Sequence, residues 1–202
     1  MTNHHPFISP VPEAVVATEQ ARRRIRSVIE SSPVPEDLIH SSNTLEWILR
    51  LAPRADEALQ IAALGHDIDR AVGNRRIRKS DFQDFEEFKA AHANNSAQIV
   101  KEILEEFRMD KAMTEEVFRL VCLHETGGDE RSDLLRVADS LSFFEVNLPH
   151  YSVRHSREAT FQRGIWGYKR LTADAREIVK KFKYADEPLN ALVQEIAMAV
   201  EE

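Results

Sequence analysis

Residues 58–70 read ALQIAALGHDIDR, a run of small and apolar residues that ends in an adjacent histidine and aspartate. The run is interrupted only by Gln60, which predicts a helix that faces the protein core. His66 and Asp67 therefore fall at the end of a buried helix. A buried imidazole and a buried carboxylate both cost free energy unless each has a partner. That partner is a hydrogen bond, a cation or a metal ion.

The rest of the chain also has the periodicity of helices. Only six glycines are present, and strand-like alternation rich in valine, isoleucine and threonine is nearly absent. We therefore predict an all-α single domain. One helix is expected over residues 36–51, with His40 on it. Pro53 suits the first turn of the next helix, which is expected to end near Arg70 or Ala71.

The later helices are bounded by residues that favour helix ends. Ser80 or Asp81 is the expected N-cap of a long helix or helix pair over residues 82–107. Thr114 is the expected cap of the next helix, and Pro149 is expected to end the helix that follows. The predicted organisation is an N-terminal segment with the first helix, a core, and C-terminal helices that pack on the same domain, over residues 1–35, 36–150 and 151–202.

Composition and charge exclude several classes of protein. The 202 residues are 43% hydrophobic and 30% charged, which is typical of a globular helical protein with a sizeable core. A net charge of −7 argues against general binding of nucleic acid or of anionic membranes. The one cysteine, Cys122, cannot form an internal disulfide. Because the N-terminal residues do not resemble a signal peptide and no apolar run is long enough to span a membrane, we expect a cytoplasmic protein.

Six histidine and aspartate residues fall on the predicted helices, each on a different helix except for one adjacent pair. They are His40, His66, Asp67, His92, His124 and Asp139. A single histidine on an apolar flank is usually a hydrogen-bonded core residue, and Asp139 alone would be an N-cap or half of an ion pair. Six such residues would each need a separate partner, whereas one shared metal cluster would satisfy all of them.

The order of these six residues resembles the metal signature of the HD-domain superfamily of metal-dependent phosphohydrolases. The resemblance covers residues 36–148 and implies a single-domain, HD-type helical bundle with two metal ions. The first ion would be held by His40, His66, Asp67 and Asp139, and the second by Asp67, His92 and His124. Adjacent residues on a helix project about 100° apart, so one such pair can reach two neighbouring ions. Mixed imidazole and carboxylate ligands suit divalent iron, manganese, cobalt, nickel or zinc.

The resemblance implies hydrolysis of a phosphate ester or anhydride by a hydroxide that bridges the two ions, with Asp67 as the bridging carboxylate. Such a reaction needs no protein nucleophile, and the sequence contains neither a G-x-S-x-G elbow nor a Walker A loop. Arg70 lies where many phosphohydrolase members carry a basic residue near the substrate phosphate. The other interpretation of Arg70 is a cation that interacts with the end of a helix.

Further substrate-binding candidates follow from local basic charge. Lys89 lies close to His92 in the sequence, and residues 150–171 are basic although the whole chain is acidic. Arg154 and His155 are the candidates in this segment, which also contains Trp166. The segment could line the phosphate and base sites of a nucleotide, or it could form a solvated helix face with its aromatic residues in the core. The expected partner is a small phosphorylated substrate of a nucleotide-like kind, and the oligomeric state stays open.

Two other functions remain open at this point. Some HD-fold proteins with the same ligand order are di-iron oxygenases that act on a small polar substrate. A metal-stabilised binding module without catalytic activity is the other alternative. Among the phosphohydrolases, cyclic dinucleotide phosphodiesterases carry a paired histidine and a Gly-Tyr-Pro element that are absent here. The diadenosine tetraphosphate hydrolases are the nearer analogy, but the region after Asp139 does not follow their pattern.

Overall fold

The apolar run that contains residues 58–65 forms the central helix of the protein. A computed structural model describes residues 13–201 of the chain, so the first twelve residues of the predicted N-terminal segment lie outside the description. The helices are α1 (Glu13–Glu30), α2 (Asp37–Leu51), α3 (Glu57–Gly65), α4 (Phe85–Glu106), α5 (Lys111–Leu123), α6 (Glu130–Ser142), α7 (Leu148–Arg154), α8 (Arg157–Lys169), α9 (Ala173–Val179) and α10 (Glu187–Glu201). Short 3₁₀ turns cover Ile68–Ala71 and Lys79–Asp81, and a π-helical turn covers Phe143–Asn147. Within residues 13–201 there is no β-strand, which confirms the predicted all-α single domain.

Helix α3 is surrounded by the five helices α1, α2, α4, α5 and α6. All of its residues except Glu57 and Gln60 are buried. Small side chains allow the neighbouring helices to approach closely. A Cβ atom placed on Gly65 would lie 2.6 Å from a methyl group of Val100 on α4, so the close approach at this point requires glycine. The end of α3 is thereby held deep inside the bundle.

The start and the end of α3 differ from the sequence prediction. Pro53 does not lie in the first turn, because Asp56 caps the helix and accepts a hydrogen bond of 3.1 Å from the Leu59 N–H. The α-helix ends at Gly65 rather than near Arg70. Residues 66 and 67 turn the chain into a separate 3₁₀ turn, and the adjacent histidine and aspartate therefore lie at a break between two helical segments.

The predicted caps of α4 and α5 are also wrong. Asp84 caps α4 by accepting a hydrogen bond from the Glu86 N–H, so Ser80 and Asp81 lie outside the helix. Asp110 caps α5 through the Met113 N–H. Thr114 lies inside that helix and donates its hydroxyl to the Asp110 carbonyl. Aspartate and threonine both favour N-caps, so the sequence alone does not decide between them.

Pro149 does not end the helical path that follows Asp139. Helix α6 passes into the π-helical turn of residues 143–147 and then into α7, where Pro149 occupies the first turn. The Phe144 carbonyl in the preceding turn instead accepts a hydrogen bond of 3.0 Å from the Tyr184 hydroxyl. The C-terminal helix α10 packs against α8 and buries Leu189, Leu192, Val193, Ile196 and Ala197. None of the helices in residues 13–201 combines the length and the apolarity needed to cross a bilayer.

Candidate metal centre

The structure brings the six predicted ligand residues together. His40 lies on α2, His92 on α4 and Asp139 on α6, while His66, Asp67 and His124 lie just after α3 and α5. The four histidines are at most 3% exposed, and Asp139 is 7% exposed. Helix α5 ends at Leu123, and the chain turns away after His124 because Gly127 has a positive φ of 72°, a conformation that favours glycine.

His40, His66 and Asp139 form the first of two donor clusters. Nε2 of His40 lies 3.1 Å from Nε2 of His66 and 3.2 Å from Oδ1 of Asp139. Nε2 of His66 lies 3.5 Å from the same aspartate oxygen. Oδ2 of Asp67 lies 3.5 Å from both imidazole nitrogens, so a fourth donor faces the same point.

Asp67, His92 and His124 form the second cluster. Oδ1 of Asp67 lies 2.7 Å from Nε2 of His92 and 3.8 Å from Nε2 of His124. Asp67 therefore directs one carboxylate oxygen toward each cluster. This is the arrangement expected of a carboxylate that bridges two sites.

The spacing of the donors in the first cluster fits a metal ion. Two atoms bound to one ion at about 2.1 Å, at an angle of about 90–110°, lie about 3.0–3.4 Å apart. The distances between donors in the first cluster range from 3.1 to 3.5 Å. In the second cluster, Nε2 of His124 is buried and makes no hydrogen bond to any described residue. A bound cation would be the missing partner of this buried nitrogen.

The second nitrogen of each histidine has a polar partner. Nδ1 of His66 and of His124 donates to a backbone carbonyl, at 2.9 and 2.7 Å respectively. Nδ1 of His40 lies 2.8 Å from the Ser142 hydroxyl, which itself donates to the His40 carbonyl and so accepts from the ring. In a neutral ring these partners place the hydrogen on Nδ1 and leave the lone pair of Nε2 pointing at the cluster, as in metal sites of proteins.

Asp69 lies behind the remaining histidine. Its Oδ1 lies 2.7 Å from Nδ1 of His92, and the residue is completely buried. Sequence analysis by itself does not distinguish an exposed Asp69 from one that supports the site. The structure places it behind His92, where it favours the hydrogen on Nδ1 and leaves Nε2 facing Asp67.

Neighbouring charges keep the carboxylates of the clusters ionised. Burial raises the pKa of Asp67, but Arg70 and His66 outweigh this effect and hold the pKa well below its usual range. Burial likewise raises the pKa of Asp139, whereas Arg170 and His40 lower it further than burial raises it. Burial lowers the pKa of His40, yet hydrogen bonds to Asp139 and Asp67 raise it to about 9. The first cluster thus attracts positive charge, either a proton or a metal ion.

A cavity of about 230 Å³ opens beside the clusters and includes Arg70, Lys89 and Arg154 in its wall. Nη1 of Arg70 lies 2.7 Å from Oδ2 of Asp67 and 3.7 Å from Oδ1 of Asp37. Arg70 therefore contacts the bridging carboxylate directly, beyond any interaction with a helix end. Lys89 and Arg154 form ion pairs with carboxylates of the same wall.

His155 is the one predicted substrate-binding residue that the structure places outside the cavity wall. Its exposed ring stacks on Tyr151, with 3.9 Å between ring centroids. Tyr151 itself lines the cavity. His155 therefore lies behind a wall residue and does not face the clusters.

The basic segment of residues 150–171 divides between the cavity and other surroundings. Arg163, Trp166 and Arg170 line the cavity. Tyr168 is fully buried in the core. Arg157 forms an exposed ion pair with Glu195 on α10. The helical periodicity of this segment does not show which residues face the cavity, because the packing of α8 decides it.

Glu125 belongs to the site, although the sequence analysis did not identify it. It is 5% exposed in its side chain, and its Oε1 lies 3.2 Å from Nε2 of His124. It also forms a buried ion pair with Lys89 and lies 3.2 Å from Nη2 of Arg170. Burial raises the pKa of Glu125, but Lys89 and His124 hold it well below its usual range. In the sequence, the signal for Glu125 was its position directly after the predicted ligand His124.

Comparison with known proteins gives a family without an assigned activity. The family model described as "Domain of unknown function (DUF4202)" matches residues 16–193, which is most of the chain. No curated protein and no solved structure matches the chain.

Proposed function

The chain belongs to the DUF4202 family, and we propose that this member is an HD-type, metal-dependent phosphohydrolase that uses two first-row transition metal ions. One observation carries the proposal. Four imidazole nitrogens and two carboxylates converge on two adjacent points that share Asp67, beside a cavity whose wall contains six arginine and lysine side chains. The donors suit divalent transition metals, and the cationic wall suits an anionic substrate.

The donor sets follow from the geometry. His40, His66 and Asp139 would hold one ion together with Oδ2 of Asp67. His92 and His124 would hold the other together with Oδ1 of Asp67. Ions in such a pair polarise a phosphoryl oxygen and make water a better nucleophile at neutral pH.

The residues of the chain would bind and orient the substrate. Arg70 lies against Asp67 in the cavity wall, where its planar guanidinium could also donate to a phosphoryl oxygen. Its side chain is 27% exposed, so it can reach a ligand in the cavity while it contacts Asp67. Lys89 and Arg170, whose side chains are mostly buried, supply further positive charge beside His124 and Asp139.

Attack by a protein thiolate finds no support in the structure. Cys122 lies on α5 near Asn94 and does not line the cavity. Burial raises the pKa of its thiol, so the thiol stays protonated at neutral pH. Hydrolysis by water is therefore the mechanism that the proposal requires.

The test begins with metal content. Protein purified without oxygen is stripped with a chelator, reloaded separately with Mn²⁺, Fe²⁺, Co²⁺, Ni²⁺ or Zn²⁺, and assayed for phosphate release from nucleotides and phosphomonoesters. We expect two ions per chain and metal-dependent release from at least one substrate. A His92→Ala variant should lose one ion and the activity.

Two results would contradict the proposal. Fewer than two ions per chain in every loading would remove the two-metal site. Oxygen consumption by the iron-loaded protein, with no phosphate release in any loading, would assign oxygenase chemistry to the same ligands.

A further inference from the structure

Two of the six cations in the cavity wall, Arg76 and Arg163, have no anionic partner within residues 13–201. Four of the six cationic wall residues form ion pairs: Arg70 with Asp67, Lys89 with Glu125, Arg154 with Glu36, and Arg170 with Asp139. Arg76 is unpaired but exposed, so water solvates it. Arg163 on α8 is different, because its Nη1 is shielded from solvent and makes no hydrogen bond to any residue in 13–201.

Aromatic rings provide the close surroundings of Arg163. Its guanidinium carbon lies 4.2 Å from the centre of the Trp166 ring and 4.9 Å from the centre of the Phe143 ring. Burial lowers the pKa of Arg163 to about 10, with Glu125 acting in the opposite direction and Arg70 adding to the decrease. The side chain is still charged at neutral pH. A cation–π contact stabilises a cation by less than its desolvation costs, so the two rings do not replace an anionic partner.

Other polar atoms of the same wall also lack partners. Oδ1 of Asn147 and Nε of Arg170 are buried and make no hydrogen bond within the described part of the chain. Both residues line the cavity together with Arg163. A polar ligand in the cavity would lie beside these polar side chains. At Arg163 that ligand must present an anion.

Arg163 stands apart from the metal centre. Among the described contacts it forms no ion pair with any of the six predicted ligands, whereas Arg70 lies directly against Asp67. Trp166 links the two regions, because Arg170 contacts Asp139 and also lies 4.5 Å from the centre of the Trp166 ring. A phosphoryl group held at Asp67 by Arg70 would leave Arg163 to bind another anionic group.

We propose that Arg163 forms a second anion subsite, and that the substrate carries two linked phosphoryl groups, as in a phosphoanhydride. The inference rests on the proposed function, since it places the first phosphoryl group at the metal centre. Charge supports it. The wall carries six cationic side chains and five carboxylates, and two divalent ions would make the cavity strongly positive. A ligand with several negative charges balances such a site better than a phosphomonoester.

The test compares two non-hydrolysable probes, methylenediphosphonate and methylphosphonate, by calorimetry on the Mn²⁺-loaded protein. We expect the diphosphonate to bind more tightly. Arg163→Met should weaken diphosphonate binding about 10- to 100-fold, the range for a charge-assisted hydrogen bond, and leave methylphosphonate binding unchanged. Arg163→Lys should bind the diphosphonate with intermediate affinity, because lysine keeps the positive charge but lacks the planar guanidinium that donates two parallel hydrogen bonds.

Arg157→Met is the matched control, since Arg157 lies on the same helix but pairs with Glu195 outside the cavity. It should leave both affinities unchanged. Equal diphosphonate binding by the wild type and Arg163→Met would overturn the subsite, even if the enzyme hydrolyses phosphates. An Arg163-dependent preference without phosphate release in any metal loading would support the subsite and overturn the proposed hydrolysis.

Discussion

Replacing Asp69 with asparagine should weaken the binding of one metal ion and leave the other almost unchanged. Asp69 is buried, and its Oδ1 lies 2.7 Å from Nδ1 of His92. Its Oδ2 faces the Ile77 N–H at 3.4 Å and the side-chain amide of Asn95 at 3.5 Å. An asparagine would keep its oxygen toward these two donors, so its NH₂ group would face His92.

The size of the effect follows from this geometry. Two N–H groups cannot face each other, so His92 would move its hydrogen to Nε2, the nitrogen that faces Asp67. Loss of a partner behind a metal-binding histidine costs about 10- to 100-fold in metal affinity. Because Asp69→Asn replaces an acceptor by a donor, we expect the affinity for the second metal ion to fall by about 100-fold, equivalent to about 2.7 kcal/mol.

Titration of metal-free protein with Zn²⁺ against a competing chelator measures both affinities. Ser142→Ala is the reciprocal control, because the Ser142 hydroxyl lies 2.8 Å from Nδ1 of His40 in the other cluster. Ser142→Ala should weaken the binding of the first ion by about 10-fold, since a neutral hydroxyl is a weaker partner than a carboxylate. Each variant should therefore change a different one of the two binding steps.

Equal weakening of both steps by Asp69→Asn would refute the assignment of His92 to a separate ion. Unchanged affinities in both variants, with the fold intact by circular dichroism, would refute metal binding at these clusters.

Three further results are expected. Arg70→Ala should lower the free energy of unfolding of the metal-free protein by about 2–4 kcal/mol in urea, because the buried carboxylates of Asp67 and Asp37 lose their charged partner. Arg75→Ala removes only an exposed pair and should cost less than about 1 kcal/mol. A similarly small loss for Arg70→Ala would make Arg70 a helix-end cation. Removing metal with a chelator should lower the melting temperature, since ions at about 1,000 times their Kd stabilise the native state by about 4 kcal/mol, and an unchanged melting curve would count against binding. The pKa of His40 is raised from 6.5 to about 9, so the stability that its protonated form contributes is complete below pH 6.5 and is lost as the pH rises through 9. The melting temperature of the metal-free protein should therefore fall from pH 6.5 to 9, while metal affinity rises by about tenfold per pH unit. Flat profiles over this range would contradict both trends.

The six residues of the centre were predictable because their chemistry conflicts with their surroundings. His92 follows two alanines, and His124 follows Val121 to Leu123, so each places a polar ring in an apolar helix face. Such positions need partners, and one shared site supplies them. The all-α class was predictable for a related reason, since periodic apolar residues such as those of α3 define helices regardless of how they pack.

The supporting residues were harder to predict because packing decides their positions. Asp69 follows Asp67 by two residues, and only the 3₁₀ turn after Gly65 carries it behind His92. Arg163 is one of several basic residues in its segment, and only the contact of α8 with its neighbours turns it inward. The position of Pro149 depends on the π-helical turn, which no local sequence signal specified.

The donors of the two clusters lie on or directly after five helices, α2 to α6, and the first and last of them are far apart in the sequence. The clusters therefore exist only when these five helices have assembled. Ions that bind so late contribute after the folding transition state, and such contributions slow unfolding without accelerating folding. We expect added metal to leave the refolding rate unchanged and to lengthen the lifetime of the folded chain. Where proteolysis follows unfolding, the supply of metal would then determine how long each molecule persists.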